Sequence, residues 1–171
     1  MSNPKENLLI VRERIAAAAV RSGRIPAAVE LIAVSKTHPV DVIREVARVP
    51  HTLFGESRVQ EAKAKIPLVS GRARWHFIGH LQRNKIRQAL PLFEMFHGVD
   101  SLEIARDIQR IAGEESQVPT VLLEVKLAEE SQKHGFAPEV LREQIEELLL
   151  LDRINIAGLM CIPPPQEKAE N

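Results

Sequence analysis

Six short apolar runs, beginning near residues 31, 52, 75, 95, 120 and 154, alternate along this chain with stretches whose apolar residues recur at helical spacing. A strand that feeds a helix, repeated at this interval with short loops, builds a parallel α/β architecture. The strand-like runs are Leu31–Ser35, Thr52–Gly55, Trp75–Ile78, Met95–Val99, Thr120–Val125 and Ile154–Ile162. Helices are expected around Val42, Ile43, Val46 and Ala47, then over Arg58–Ile66, Leu81–Leu90, Leu102–Ile111 and Pro138–Leu151. A further helix opens the chain. Asn3-Pro4-Lys5-Glu6 offers a capping side chain, a proline at the first helical position and a glutamate in the first turn, and the apolar periodicity runs to about Val20.

An open doubly wound sheet and a (β/α)8 barrel both satisfy this rhythm. The barrel needs eight strands and typically about 250 residues, two strands more than are visible. Ser35-Lys36-Thr37-His38-Pro39 after the first run contains no glycine, which disfavours a dinucleotide-binding sheet. Pro163-Pro164-Pro165 and a polar tail stop the last run. The 171 residues, 44% apolar and 27% charged, suit one globular domain spanning residues 1–171. Apolar runs such as Leu148–Leu151 are far shorter than a membrane span, and Arg12, Glu13 and Arg14 break up any signal-peptide pattern. Cys161 is the only cysteine, which excludes a disulfide framework and suits a reducing cytosol; within an apolar run it reads as a small core residue.

The formal net charge of zero conceals an asymmetry. Residues 62–93 hold no acid and seven cations: Lys63, Lys65, Arg72, Arg74, Arg83, Lys85 and Arg87. Residues 101–152 reverse the balance, with twelve acids against five cations. Solvated faces that partly pair with each other account for such runs, and a phosphate or RNA contact surface is the alternative.

Lys36 directly follows the first strand-like run, at the end of a parallel strand where ligands bind. Apolar neighbours there would favour the neutral amine that Schiff-base chemistry needs; a side chain extended into solvent is the other reading. His76 and His80 resemble a paired metal site only on a helix. On the strand expected here a four-residue offset spans about 13 Å, too far to share one zinc ion. His76 is then a hydrogen-bonded residue of the sheet, and His80 begins the next helix. Gly79–Lys85 would present a helix N-terminus to an anion or a partner protein, or simply to solvent. Ser35, Ser57, Ser101 and Cys161 lie in no nucleophile motif. Glu56, Asp100 and Glu124 near strand ends are ion-pair partners or acids of a barrel mouth.

Four segments together carry a resemblance: Leu31-Ile-Ala-Val-Ser-Lys-Thr-His-Pro39, Phe54-Gly-Glu-Ser-Arg-Val-Gln-Glu61, Trp75-His-Phe-Ile-Gly-His-Leu-Gln-Arg-Asn-Lys85 and Gly158-Leu-Met-Cys-Ile-Pro163. In order and spacing, over nearly the whole chain, they resemble the YggS-like pyridoxal phosphate homeostasis proteins. The resemblance implies a TIM-barrel-type fold of PLP fold-type III, similar to the N-terminal domain of alanine racemase, with about six of eight βα units present. It implies pyridoxal 5′-phosphate (PLP) held as a Schiff base on Lys36, with Ser57, His76, Lys133 and Met160 as further cofactor positions. The implied role is cytoplasmic PLP homeostasis without turnover, serving PLP-dependent client enzymes, with no metal, no membrane and no nucleic acid. A racemase-like PLP enzyme and a non-binding fragment are the alternatives.

Three departures stand out. Ser57 occupies the place of a family asparagine, and Lys126 that of another. Two further βα units of the family, which supply the phosphate cup and an arginine facing the pyridine nitrogen, are not matched, so the chain reads as a family member truncated at about three quarters of its length. Open sheet edges and only partial cover of Val34, Phe54, Phe77 and Met160 are the expected consequences.

Overall fold

The computed structural model describes residues 3–69, 73–127 and 134–163. Among these residues six strands lie in sheet order as they lie in the chain: β1 (Ile32–Val34), β2 (Leu53–Glu56), β3 (Arg74–Phe77), β4 (Met95–Val99), β5 (Thr120–Glu124) and β6 (Asn155–Met160). Among the described residues six α-helices alternate with them: α1 (Pro4–Arg21), α2 (Val40–Ala47), α3 (Val59–Lys65), α4 (Ile86–Ala89), α5 (Leu102–Glu114) and α6 (Pro138–Leu149). The chain divides into two compact units, residues 1–76 and 77–171. Among the described residues no helix is long and apolar enough to cross a membrane.

In the first unit, α1 begins as its sequence specifies: the Asn3 side chain accepts from Lys5 N–H at 3.0 Å, and Pro4 takes the first position. Strands β1 and β2 pair in parallel, with Ile32 opposite Leu53, Ala33 opposite Phe54 and Val34 opposite Gly55. Every residue of β2 is buried, and Phe54 stacks on Trp75 of β3 with ring centroids 4.9 Å apart. Ile43 and Val46 present the apolar face of α2. A largely apolar cleft of about 520 Å³ runs along β1 between α1 and α2, with Asn7, Ser35 and His38 as polar groups on its wall.

In the second unit, β4 pairs with β5 and β5 with β6, both in parallel. Phe77, Phe93 and Phe96 form an aromatic cluster with centroids 5.2 to 6.1 Å apart. Helix α5 buries Ala105, Ile108 and Ala112 at helical spacing, and the Ser101 hydroxyl caps it by accepting from Ile104 N–H. Ion pairs join Arg83 to Asp107, Arg87 to Glu114 and Glu115, and Arg106 to Glu147. The basic stretch thus spends Arg83 and Arg87 on acids of the acidic stretch, as the pairing reading anticipates.

Three sequence expectations change. Instead of one helix over Leu81–Leu90 there is a 3₁₀ turn (Arg83–Lys85), the single turn of α4 and another 3₁₀ turn (Leu90–Leu92). Leu81 buries on its own, and the apolar face at Ile86, Ala89 and Leu90 covers only one turn before Pro91, which lacks the N–H a helix would use. Cys161 is exposed just beyond β6, so it is not a core residue. Phe54 and Phe77 are fully buried, while Val34 is 48% exposed, so partial cover applies to the edge strand and not to the strand interior.

Candidate functional site

Strand β1 ends at Val34, and the chain turns through Ser35-Lys36-Thr37-His38, closed by a His38 N–H to Ser35 C=O hydrogen bond of 3.2 Å. Lys36 is exposed on this turn, not surrounded by the apolar neighbours its strand-end position allowed for. Thr37 adopts φ of 66°, a left-handed conformation that a β-branched residue accepts only under constraint. The constraint is visible. The Glu61 carboxylate, from α3, accepts from Thr37 N–H at 2.6 Å.

A buried polar group lies beneath this turn. Ser35 Oγ donates to Glu56 Oε1 at 2.7 Å, and the backbone N–H of Ser35 donates to Gly55 C=O at 3.0 Å. Lys65, only 10% exposed, donates to Ser35 C=O at 2.8 Å and to Glu56 Oε1 at 3.1 Å, and it also reaches Glu61. Glu56 is completely buried, and its Oε2 has no hydrogen-bond partner among the described residues. The Lys65 hydrogen bond holds the Glu61 carboxyl below the usual glutamate range, against partial desolvation and with help from Thr37 N–H. The turn carrying Lys36 is therefore tied at Ser35 and at Thr37, and Lys36 between them is left open to solvent.

The other sequence-predicted positions fall as follows. Ser57 is half-buried in the bend after β2, and because Val34 lies opposite Gly55, it is level with Lys36 at the end of the neighbouring strand. His76 is buried within β3, as expected of a sheet histidine. Met160 ends β6 in the second unit, half-buried opposite Glu124. Lys133 lies outside the described residues. His80 does not start a helix; it occupies the loop after β3 and hydrogen-bonds Asp100 through Nδ1 at 2.7 Å. The amino end of α4 follows the close of Gly79–Lys85, with Lys85 as its N-cap residue behind a 3₁₀ turn. Glu124 is half-buried, and burial, reinforced by the Asp100 charge, pushes its carboxyl up.

Sequence reasoning missed Lys65 and Glu61. Both sit in α3 at i, i+4 spacing, and both read there as surface charge; the available signal was Glu61 four residues before Lys65, a pairing that says nothing about burial.

A parallel α/β sheet with a lysine on the turn after its first strand is the class of protein these features define. The sequence matches the family described as alanine racemase, N-terminal domain, over residues 11–170. A pyridoxal phosphate homeostasis protein of Aquifex aeolicus is 38% identical over 170 residues, covering 99% of this chain and 75% of that one. One from Pseudomonas aeruginosa is 41% identical, covering 96% and 72%. Among solved structures, PipY of Synechococcus elongatus with PLP bound is 42% identical with a TM-score of 0.77, covering 90% of this chain and 71% of PipY. An alanine racemase of Clostridium difficile, 18% identical with a TM-score of 0.67 over 80% of this chain and 36% of its own, shares the fold. The chain belongs to the alanine racemase N-terminal domain family and, within it, to the pyridoxal phosphate homeostasis proteins.

Proposed function

We propose that this chain binds PLP through Lys36 and hands it to PLP-dependent client enzymes in the cytosol, turning over no substrate of its own, and that residues 1–171 serve this as one domain. The observation that carries the reading is the placement of Lys36: a primary amine open to solvent, on a strand-end turn tied down on both sides, in a chain 42% identical to a protein seen with PLP bound. The donor set fits the cofactor at its reactive end. Bound PLP supplies an aldehyde that condenses with a primary amine with loss of water, a bond that another amine can displace.

The chain's own residues do the positioning. Lys65 and Glu61 fix the backbone to either side of Lys36, so its stem starts from one place and only the side-chain torsions remain free. Ser57, level with Lys36, and His76, in the next strand, are the cofactor-facing candidates of the same unit. The assignments of Lys133 and Met160 rest on the family resemblance alone.

Borohydride reduction of the PLP-treated chain, followed by peptide mass mapping, tests the reading. The pyridoxyl group is expected on Lys36 and absent in Lys36→Ala. Label concentrated on Lys85 or Lys133 with Lys36 unmodified rejects the assignment. Racemisation of any amino acid at enzymatic rates would reject the carrier role and make the chain a catalyst.

A further inference from the structure

We infer that His80, Asp100 and His134 form a binding site for a divalent transition-metal ion of the zinc or cobalt type. The three side chains come from different loops: His80 follows β3, Asp100 follows β4 and His134 follows β5. His80 Nδ1 is 2.7 Å and His134 Nδ1 3.5 Å from the same oxygen, Asp100 Oδ2, and one ligand atom from each residue falls within 4.8 Å of the others. The imidazole rings are stacked, with centroids 3.8 Å apart and planes 12° from parallel. Two imidazole nitrogens and one carboxylate oxygen gathered this closely offer a cation three lone pairs. Two nitrogens and one oxygen are a borderline donor set, suited to zinc and cobalt rather than to magnesium or calcium, and three protein ligands leave a position for water.

The backbone is built to hold these groups together. A Cβ on Gly98, in β4, would lie 2.4 Å from the Gly79 carbonyl oxygen, so glycine at 98 is what lets the loop carrying His80 descend onto the end of β4 beside Asp100. On the other side, Phe136 N–H donates to Glu124 C=O at 2.7 Å and Lys126 N–H to Phe136 C=O at 2.9 Å. These bonds add Phe136 to the end of β5 as an isolated parallel bridge. Gly135, at φ of 118°, makes the bend that places His134 over His80. Asp100 itself is only 8% exposed, so its carboxylate is held in place while both rings remain reachable from solvent.

Metal-free chain titrated with cobalt(II) tests the inference. One ion per chain, with the intense visible absorption of a low-coordinate site that zinc then displaces, is the expected result. His80→Gln and His134→Gln each should weaken binding on the order of 10- to 100-fold or more, since even outer-shell changes cost that much. His51→Asn, at an exposed histidine elsewhere, should leave it unchanged. A second measurement needs no variant: zinc should protect His80 and His134, and not His51, from diethyl pyrocarbonate. Titration without saturation, equal affinity in the glutamine variants, or modification of His80 and His134 at the same rate with and without zinc overturns the site.

Discussion

Lys65 shows how one side chain couples burial to position. It is the cation of a buried pair whose anion, Glu56, is completely enclosed, and it also holds the Ser35 carbonyl beside Lys36. Lys65→Met removes the charge, keeps most of the stem and strands Glu56, so the chain should lose about 3–5 kcal/mol in urea denaturation. Glu61 makes the companion case in pH. Its folded carboxyl lies below the usual glutamate range, so the stability it adds is present above that range and is lost as pH falls through the lowered folded value. Denaturation midpoints of wild type and Glu61→Gln should therefore differ at neutral pH and converge in acid. Lys36 was legible because a strand-end lysine within a recognisable motif needs no partner to be seen. Lys65 was not, since a lysine in a basic run of a helix reads as surface, and only the return of the chain beneath β1 buries it.

Among elements, the strands were the most legible and the segment after β3 the least. Each strand is a compact apolar run, and in β2 and β3 nearly every residue is buried, so the signal is carried by the strand's own residues. The stretch from Leu81 to Leu92 divides into short turns because its apolar residues answer to separate neighbours and Pro91 breaks the backbone bonding pattern. The His80, Asp100 and His134 group was invisible for a related reason: its members lie in three loops, and His76 was the sequence neighbour that drew attention. Gly98 tests how the elements meet. Gly98→Ala would press a methyl group against the Gly79 carbonyl, and the two backbones must part; we expect a loss of about 2 kcal/mol or more in thermal or urea unfolding. The shift of the His80 imidazole resonances away from their Asp100-bonded positions should accompany it.

For the whole molecule, β1 and β6 stand first and last in the sheet order, and Leu159 in β6 and Ile162 just beyond it are both more than 60% exposed. Among the described residues the outer edges of β1 and β6 carry no further strand, and such edges beside apolar side chains template association between copies. Light scattering should show mass rising with protein concentration, and Leu159→Lys should suppress the rise, because a charge on an edge strand opposes pairing. A monodisperse monomer at every concentration would refute the expectation. The pairing of β1 with β2, of β4 with β5 and of β5 with β6 has a consequence in time as well. Every one of these ladders joins strands made one after the other, with a single crossover between them, so each closes a shorter loop than a pairing between distant strands would. A ribosome releasing this polypeptide from its amino end delivers the two strands of the first ladder while β5 and β6 have yet to be translated. No early strand of these pairs has to wait, exposed, for a partner encoded far downstream.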